Sequence, residues 1–201
     1  MATQAPQHVY ITPPNIKEAA FQIESKSPLI CHRFDQKARL SLLTSGGNKR
    51  APKQAIDPDD DYRRSLYVME DGRYGFPAAG FKAAMVRAAK HIHGLSMTDA
   101  RGMFFIIADG RDDLGTDLVA ITGEPKRRDD HVRVGQGTSM RYRGEFAQWT
   151  AILRVSHDAD LIGADSIGSL IARAGMTVGI GDWRPEKNGS FGLFNLTTGE
   201  G

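Results

Sequence analysis

Ala19, Phe21 and Ile23 alternate with Ala20, Gln22 and Glu24, the period-two pattern of a strand buried on one face, and Ser27-Pro28 ends it. Within residues 33–43, the four-residue spacing of Phe34, Ala38 and Leu42 predicts a short helix. Ser65–Met69 and Arg73–Phe76 flank Glu70-Asp71-Gly72, a hairpin signal. Pro77 then opens a helix at the position where its missing N–H costs nothing, and the helix runs to about residue 92. Phe81, Ala84, Met85, Ala88 and Ile92 share one of its faces, and Gly94 stops it. The unbroken apolar run Met103–Ala108 predicts a central strand buried on both faces, and Leu118–Thr122 a second, shorter strand. Gly123–Gly137 reads as a basic excursion from which Met140–Phe146 returns, and Gln148–Val155 as a further strand. A second helix spans about 165–174, with Ile167, Leu170 and Ile171 inward. A glycine-rich loop, Gly179–Gly192, leads into a last apolar strand, Leu193–Leu196.

The core order is strand, helix, strand, strand, helix, strand. It predicts an α+β class with a ferredoxin-like, RRM-like βαββαβ core. Two long insertions, about 28–76 and 109–146, interrupt it as hairpin or thumb-like arms. Residues 1–16 read as a flexible N-terminal arm and 44–61 as a polar, mobile loop punctuated by Gly46-Gly47, Pro52 and Pro58. No internal repeat and no second core are visible, so residues 1–201 form one decorated domain.

A chain of 201 residues has room for one domain with a proper core. The lone Cys31 excludes an intramolecular disulfide and a cysteine-based zinc site, and favours a reducing, cytoplasmic setting. There is no signal segment and no apolar run near the roughly 20 residues that span a bilayer, so no membrane partner is expected. Net charge is only +2, but its distribution is uneven. Basic residues gather at Lys49, Arg50 and Lys53, at Lys126, Arg127, Arg128 and Arg133, and at Arg141, Arg143, Arg184 and Lys187. Acids gather apart, at Asp57, Asp59, Asp60 and Asp61 and at Asp112 and Asp113. Basic loops on a near-neutral body suit a phosphate-binding face; solvated loops are the alternative.

Cofactor and catalytic readings find little support. The Gly179-Ile180-Gly181 loop lacks the third glycine of a dinucleotide fingerprint and precedes a strand, and no Gly-Lys-Ser/Thr follows it. His91 and His93 are two apart and share no helix face. Asp59-Asp60-Asp61 reads as a cation site or a solvated acidic run. The expectation is no catalytic residue, no metal and no cofactor. Tyr62, Tyr67, Tyr74, Tyr142 and Trp183 lie near basic residues, the materials of single-strand binding. Arg141-Tyr142-Arg143 interleaves them most tightly, though an edge strand's exposed face would read alike. Trp183 stacks on bases or caps the core.

Gly75-Phe76-Pro77-Ala78-Ala79-Gly80-Phe81-Lys82-Ala83-Ala84-Met85-Val86-Arg87 resembles the start of the first helix in RAMP proteins, the RNA-binding superfamily of CRISPR effector complexes. The Gly179–Gly192 tail resembles that superfamily's C-terminal glycine-rich loop. The likeness runs from about residue 17 onward on short, degenerate motifs. It departs at Ala78-Ala79, which replace the usual Gly-Ser-Ser. The nearest likeness is to the backbone subunits that polymerise along guide RNA, and a stand-alone or phage-encoded relative fits as well. The resemblance implies that Lys82 and Arg87 face phosphates, that Gly179, Gly181, Arg184 and Gly189 form a loop on the strand, and that Arg33 and Lys37 are RNA contacts. The insertions would supply basic fingers, Lys49, Arg50 and Lys53 in one and Lys126, Arg127, Arg128 and Arg133 in the other. The implied partner is single-stranded RNA or ssDNA, coated without sequence preference by a homo-oligomer or filament, with other effector-complex subunits as further partners. The alternatives are a phage or mobile-element assembly protein that uses the fold for protein–protein contacts, and a ribonuclease using Asp35, beside His32, in a loop.

Overall fold

A computed structural model describes residues 11–33, 57–134 and 137–197. In chain order the elements are β1 (Ile16–Ser25), β2 (Leu29–Cys31), α1 (Pro58–Ser65), β3 (Gly75–Pro77), α2 (Ala78–Ala88), α3 (Met97–Met103), β4 (Phe104–Ile107), β5 (Gly110–Arg111), β6 (Asp117–Thr122), β7 (Pro125–Val134), β8 (Gly137–Phe146), β9 (Thr150–Asp158), α4 (Ala164–Thr177) and β10 (Phe194–Leu196). Single 3₁₀ turns follow α2 and precede β10.

β1 lies between β10 and β9, antiparallel to both, with Ile23 opposite Leu196 and Phe21 opposite Leu153. β4 pairs antiparallel with β9's other edge, Ile106 opposite Val155. The last, first, third and second strands of the βαββαβ unit thus stand side by side, the ferredoxin-like arrangement. Period-two alternation puts Ile23, Leu153 and Val155 on the helix-covered face, all fully buried. Against them α2 places Phe81, Ala84, Met85 and Ala88, and α4 places Ile167, Leu170, Ile171 and Ala174. Phe194 of β10 meets Phe81 and Trp149 edge-on, with ring centroids 6.2 and 5.9 Å away. α4 lies so close to β10 that a Cβ on Gly175 would sit 1.9 Å from the Phe194 carbonyl oxygen.

Parts of the two insertions, far apart in sequence, build one second layer, while β3, β5 and β6 extend the core sheet. β7 and β8 form a long antiparallel hairpin, with Arg128 opposite Arg143 and His131 opposite Met140. β2 pairs with β8's other edge, Ile30 opposite Glu145. α1 covers the hairpin's base: Gly144 N–H donates to Ser65 Oγ at 2.7 Å, and the Tyr62 hydroxyl donates to the Pro125 carbonyl at 2.9 Å. β6 pairs with β9 beyond the end of β4, Ile121 opposite Ala151, and runs on in the chain into β7.

Several expectations are corrected. Residues 58–61, expected as loop, instead open a helix over Pro58–Ser65, because Asp57 caps it, accepting from the Asp59 and Asp60 N–H groups, and Pro58 opens the first turn. That cap is the observed role of the head of the acidic run. α3 was not expected; Ser96 caps it by accepting from Asp99 N–H at 3.0 Å, a signal present in Ser96-Met97-Thr98-Asp99. α3 therefore takes Met103 out of the apolar run. β4 is an edge rather than a doubly buried strand, with Phe105 56% exposed. The expected 65–69/73–76 hairpin shrinks to a single bridge, Val68 to Tyr74, because Gly75–Pro77 pairs with β6 instead. Pro77 caps α2 rather than occupying its first turn. Gly123–Gly137 is largely strand β7. The helix expected over 33–43 lies outside the described residues apart from Arg33, as does most of the 44–61 loop.

Candidate nucleic-acid interface

The glycine loop is bound to β2 by backbone. Asp182 N–H donates to the Ile30 carbonyl at 3.0 Å, Gly192 N–H to the Pro28 carbonyl at 2.7 Å, and Ile180 N–H to Gly192 at 3.0 Å. Gly181 sits at φ +77, where a Cβ would meet the Ile30 carbonyl oxygen at 2.5 Å, so the close approach of loop and strand needs glycine there. This pairing sets Asp182 beside His32, which follows the end of β2. His32 Nδ1 lies 3.1 Å from Asp182 Oδ2, and Arg143 Nη1 donates to the same oxygen at 2.6 Å. Burial opposes ionisation of Asp182, but the hydrogen bonds from His32 and Arg143 outweigh it and hold the carboxyl below the ordinary range.

A groove of about 210 Å³ opens between this loop and α2, and His32, Tyr67, Arg87, Gly179, Gly181 and Arg184 are among the residues that line it. Glu186 holds two of the cations: Arg87 Nε at 2.8 Å and Arg184 Nη2 at 2.9 Å. Arg184 also donates to the Gly181 carbonyl at 3.0 Å, closing the loop on itself. Burial pushes the Tyr67 phenol up to about 12, so it stays protonated, and its hydroxyl has no partner among the described residues.

Behind the groove the hairpin is seated on an ionic seam. Arg143, only 4% exposed, donates to Asp130 at 2.7 Å as well as to Asp182. Arg128 pairs with Asp130 at 2.8 Å and Glu145 at 2.6 Å. The Trp183 ring lies beneath both guanidinium groups, at 4.5 Å from Arg143 and 5.5 Å from Arg128, with Phe191 tilted against it. Trp183 holds a left-handed backbone, φ 52, to present that ring.

The remaining predicted residues divide into two sets. Arg33 is engaged within the protein, 3.0 Å from the buried Asp112 and also paired with Asp113. Arg127 bridges Asp59 at 2.5 Å and Asp129 at 3.0 Å. The acidic and basic clusters that the sequence keeps apart therefore meet in space. By contrast Lys126, Arg133 and Arg141 are exposed along the hairpin, and no described acid lies within ion-pair distance of them. Lys82 stands on α2 with its ammonium 3.7 Å above the exposed Phe105 ring, and burial lowers its pKa. The structure thus gathers Arg87, Gly179, Gly181 and Arg184 at one groove, with Trp183, Arg128 and Arg143 behind it. Lys82 sits on a neighbouring part of α2, and Arg33, Arg127 and the exposed hairpin cations stand elsewhere. Lys37, Lys49, Arg50, Lys53 and Asp35 lie outside the described residues. His32, Asp182 and Tyr67 were not anticipated at the groove. No local pattern signals the first two, which stand 150 residues apart. Among the described residues no cluster of metal-ligating side chains is present, and no helix is long and apolar enough to cross a membrane.

No family model matches the chain, and no curated protein matches it. Among solved structures it is similar to the crystal structure of Cmr6 from Pyrococcus furiosus, with a TM-score of 0.42 and 10% identity over 90% of this chain and 99% of that one. It is also similar to a chain in the cryo-EM structure of the Type III-B Cmr-beta bound to cognate target RNA, with a TM-score of 0.41 and 13% identity over 91% of this chain and 59% of that one.

Proposed function

We propose that this chain is a RAMP-like, non-enzymatic nucleic-acid-binding protein that coats a single strand, RNA in the first instance, with little sequence preference and assembles along it beside further copies. The observation that carries this reading is the division of the cations. Arginines at the seam are neutralised within the fold, while Lys126, Arg133 and Arg141 project from the hairpin with no ion-pair partner among the described residues. Exposed cations without acids near them attract phosphate, and each phosphate they neutralise releases counterions. The sheet lacks the aromatic platform of an RRM, so loops and the hairpin, rather than the open sheet, are the contact surface.

Titration of a labelled single-stranded oligonucleotide across salt concentrations tests the proposal. Wild-type affinity falls steeply with salt. The K126Q/R133Q/R141Q variant binds more weakly, with a log–log salt slope shallower by about 2, given about 0.7 per phosphate on single strands. Absence of binding at low salt refutes the reading.

A further inference from the structure

The groove holds a feature that phosphate binding alone does not use. A carboxylate only accepts hydrogen bonds, so Asp182 fixes His32 Nδ1 as the N–H donor of their 3.1 Å contact. In the neutral imidazole the other ring nitrogen, Nε2, is then an acceptor. Asp182 is itself immobilised by the buried Arg143 and by its own N–H on β2, so the tautomer is set by the fold. The His32 side chain is 44% exposed and borders the groove. An acceptor nitrogen makes a poor partner for phosphate oxygens, which also accept. It makes a good partner for a hydroxyl. The same groove is lined by Arg87, whose Nε also pairs with Glu186, and by Tyr67; the guanidinium and the hydroxyl offer donors to a phosphodiester.

We propose that the groove seats one ribonucleotide, with its phosphodiester toward Arg87 and Tyr67 and its ribose 2′-hydroxyl donating to His32 Nε2. His32 is then the residue by which this protein tells RNA from DNA, since the 2′-hydroxyl is the group that differs between them. Asp182 acts through His32 as a positioning residue. This inference rests on the nucleic-acid-binding reading and adds the choice of sugar to it.

The test compares three oligonucleotides of one sequence, as RNA, as 2′-O-methyl RNA and as DNA, against the full chain. Wild type binds RNA about five- to tenfold more tightly than DNA, the value of one hydrogen bond, and binds the 2′-O-methyl strand like DNA because the donor proton is gone. His32→Phe keeps the ring's shape without the acceptor and loses the RNA preference. Asp182→Asn lets the amide donate to Nδ1 and so frees the ring to take the opposite tautomer. It weakens RNA discrimination, with circular dichroism checking that the variant, which also loses a charge at the Arg143 seam, is folded under the binding conditions. Equal wild-type affinity for RNA and DNA overturns the inference, as does a His32→Phe variant that still prefers RNA. Failure of wild type to bind any of the three strands overturns instead the broader proposal on which this one rests.

Discussion

The two sheets of this protein are held by opposite means. Between the core sheet and its helices lie Ile23, Leu153, Val155, Phe104 and Phe194, all 1% exposed or less, joined on β9 by the buried imidazole of His157 rather than by an ion pair. The corresponding inner face of the hairpin sheet, where it meets the glycine loop, carries Arg143 at 4% and Asp130 at 6%, backed by Arg128, Glu145 and Asp182. Apolar burial is additive and tolerant of exchange, whereas a buried ion cluster holds only while each partner is present. The difference teaches that basic residues in an insertion are not all ligand-binding residues. In this chain Arg128 and Arg143 fasten the arm, while Lys126 at its base and Arg133 and Arg141 nearer its tip reach no acid among the described residues.

The largest effect expected is at the seam. Arg143→Met keeps length and apolar stem but leaves Asp182 and Asp130 each short of a partner within the protein. Breaking a buried pair from one side costs about 3–5 kcal/mol, a large part of the 5–15 kcal/mol typical of a domain. Urea unfolding followed by tryptophan fluorescence measures this, and Trp183 under the guanidinium reports on the seam directly. The counterpart in the core is Leu153→Ala, with a loss of about 2–5 kcal/mol from lost burial and cavity. A loss under 1 kcal/mol for Arg143→Met shows that the two sheets are not held differently after all.

Acid separates the two mechanisms at intermediate magnitude. The Asp182 and Asp112 carboxyls are both held below the ordinary carboxylate pKa of about 3.9. At Asp112, burial opposes the shift, and the Thr116 N–H and the Arg33 guanidinium outweigh it. A depressed folded-state pKa means that the unfolded chain binds protons first as pH falls. Stability from these groups is therefore complete above about pH 4 and is lost as pH drops through the folded values. The Leu153→Ala penalty stays flat across that window, while the Arg143→Met penalty shrinks as Asp182 takes up its proton. Parallel urea titrations from pH 6 down to pH 3 measure both.

The same contrast explains what could be read from the chain alone. The core is legible because apolar period and element period coincide: Phe21 and Ile23 in β1, Phe81 to Ala88 in α2 and Ile167 to Ile171 in α4 mark their own buried faces. β7 is not, because Lys126-Arg127-Arg128-Asp129-Asp130 has no apolar alternation, and a strand that buries arginine against aspartate reads like a solvated loop. Cap signals at Asp57-Pro58 and Ser96-Asp99 were in view but lay within polar stretches with no apolar face to confirm them. The groove is the least legible part. His32 and Asp182 come from opposite ends of the chain, and only the backbone pairing of β2 with the glycine loop brings them together. Local sequence carries no trace of such a contact. Arg184, in the glycine loop, is found closing that loop through the Gly181 carbonyl and Glu186.

The smallest stability effect belongs to the outer hairpin, and it is the sharpest test of the comparison. Arg133 and Arg141 are exposed, and among the described residues neither reaches an acid. Surface changes away from packed or paired groups alter stability by no more than about 0.5 kcal/mol each. Arg133→Gln and Arg141→Gln, singly and together, therefore leave the urea midpoint and slope of the wild type unchanged. Arg143→Met, ten residues along the same hairpin from Arg133, does not. In strand binding the ranking is reversed at the point where stability is equal: the Arg133 and Arg141 variants lose affinity in proportion to the charges removed, on a fold that is intact by the same urea curve. A drop in stability for the outer pair means that these cations, too, are fasteners, and the hairpin then has no free face to offer a strand. Unchanged stability with unchanged binding means that the arm's outer charge is idle and that any strand must lie in the groove. The two measurements on one pair of variants thus locate the boundary between the part of the arm that holds the fold and the part that is free to bind.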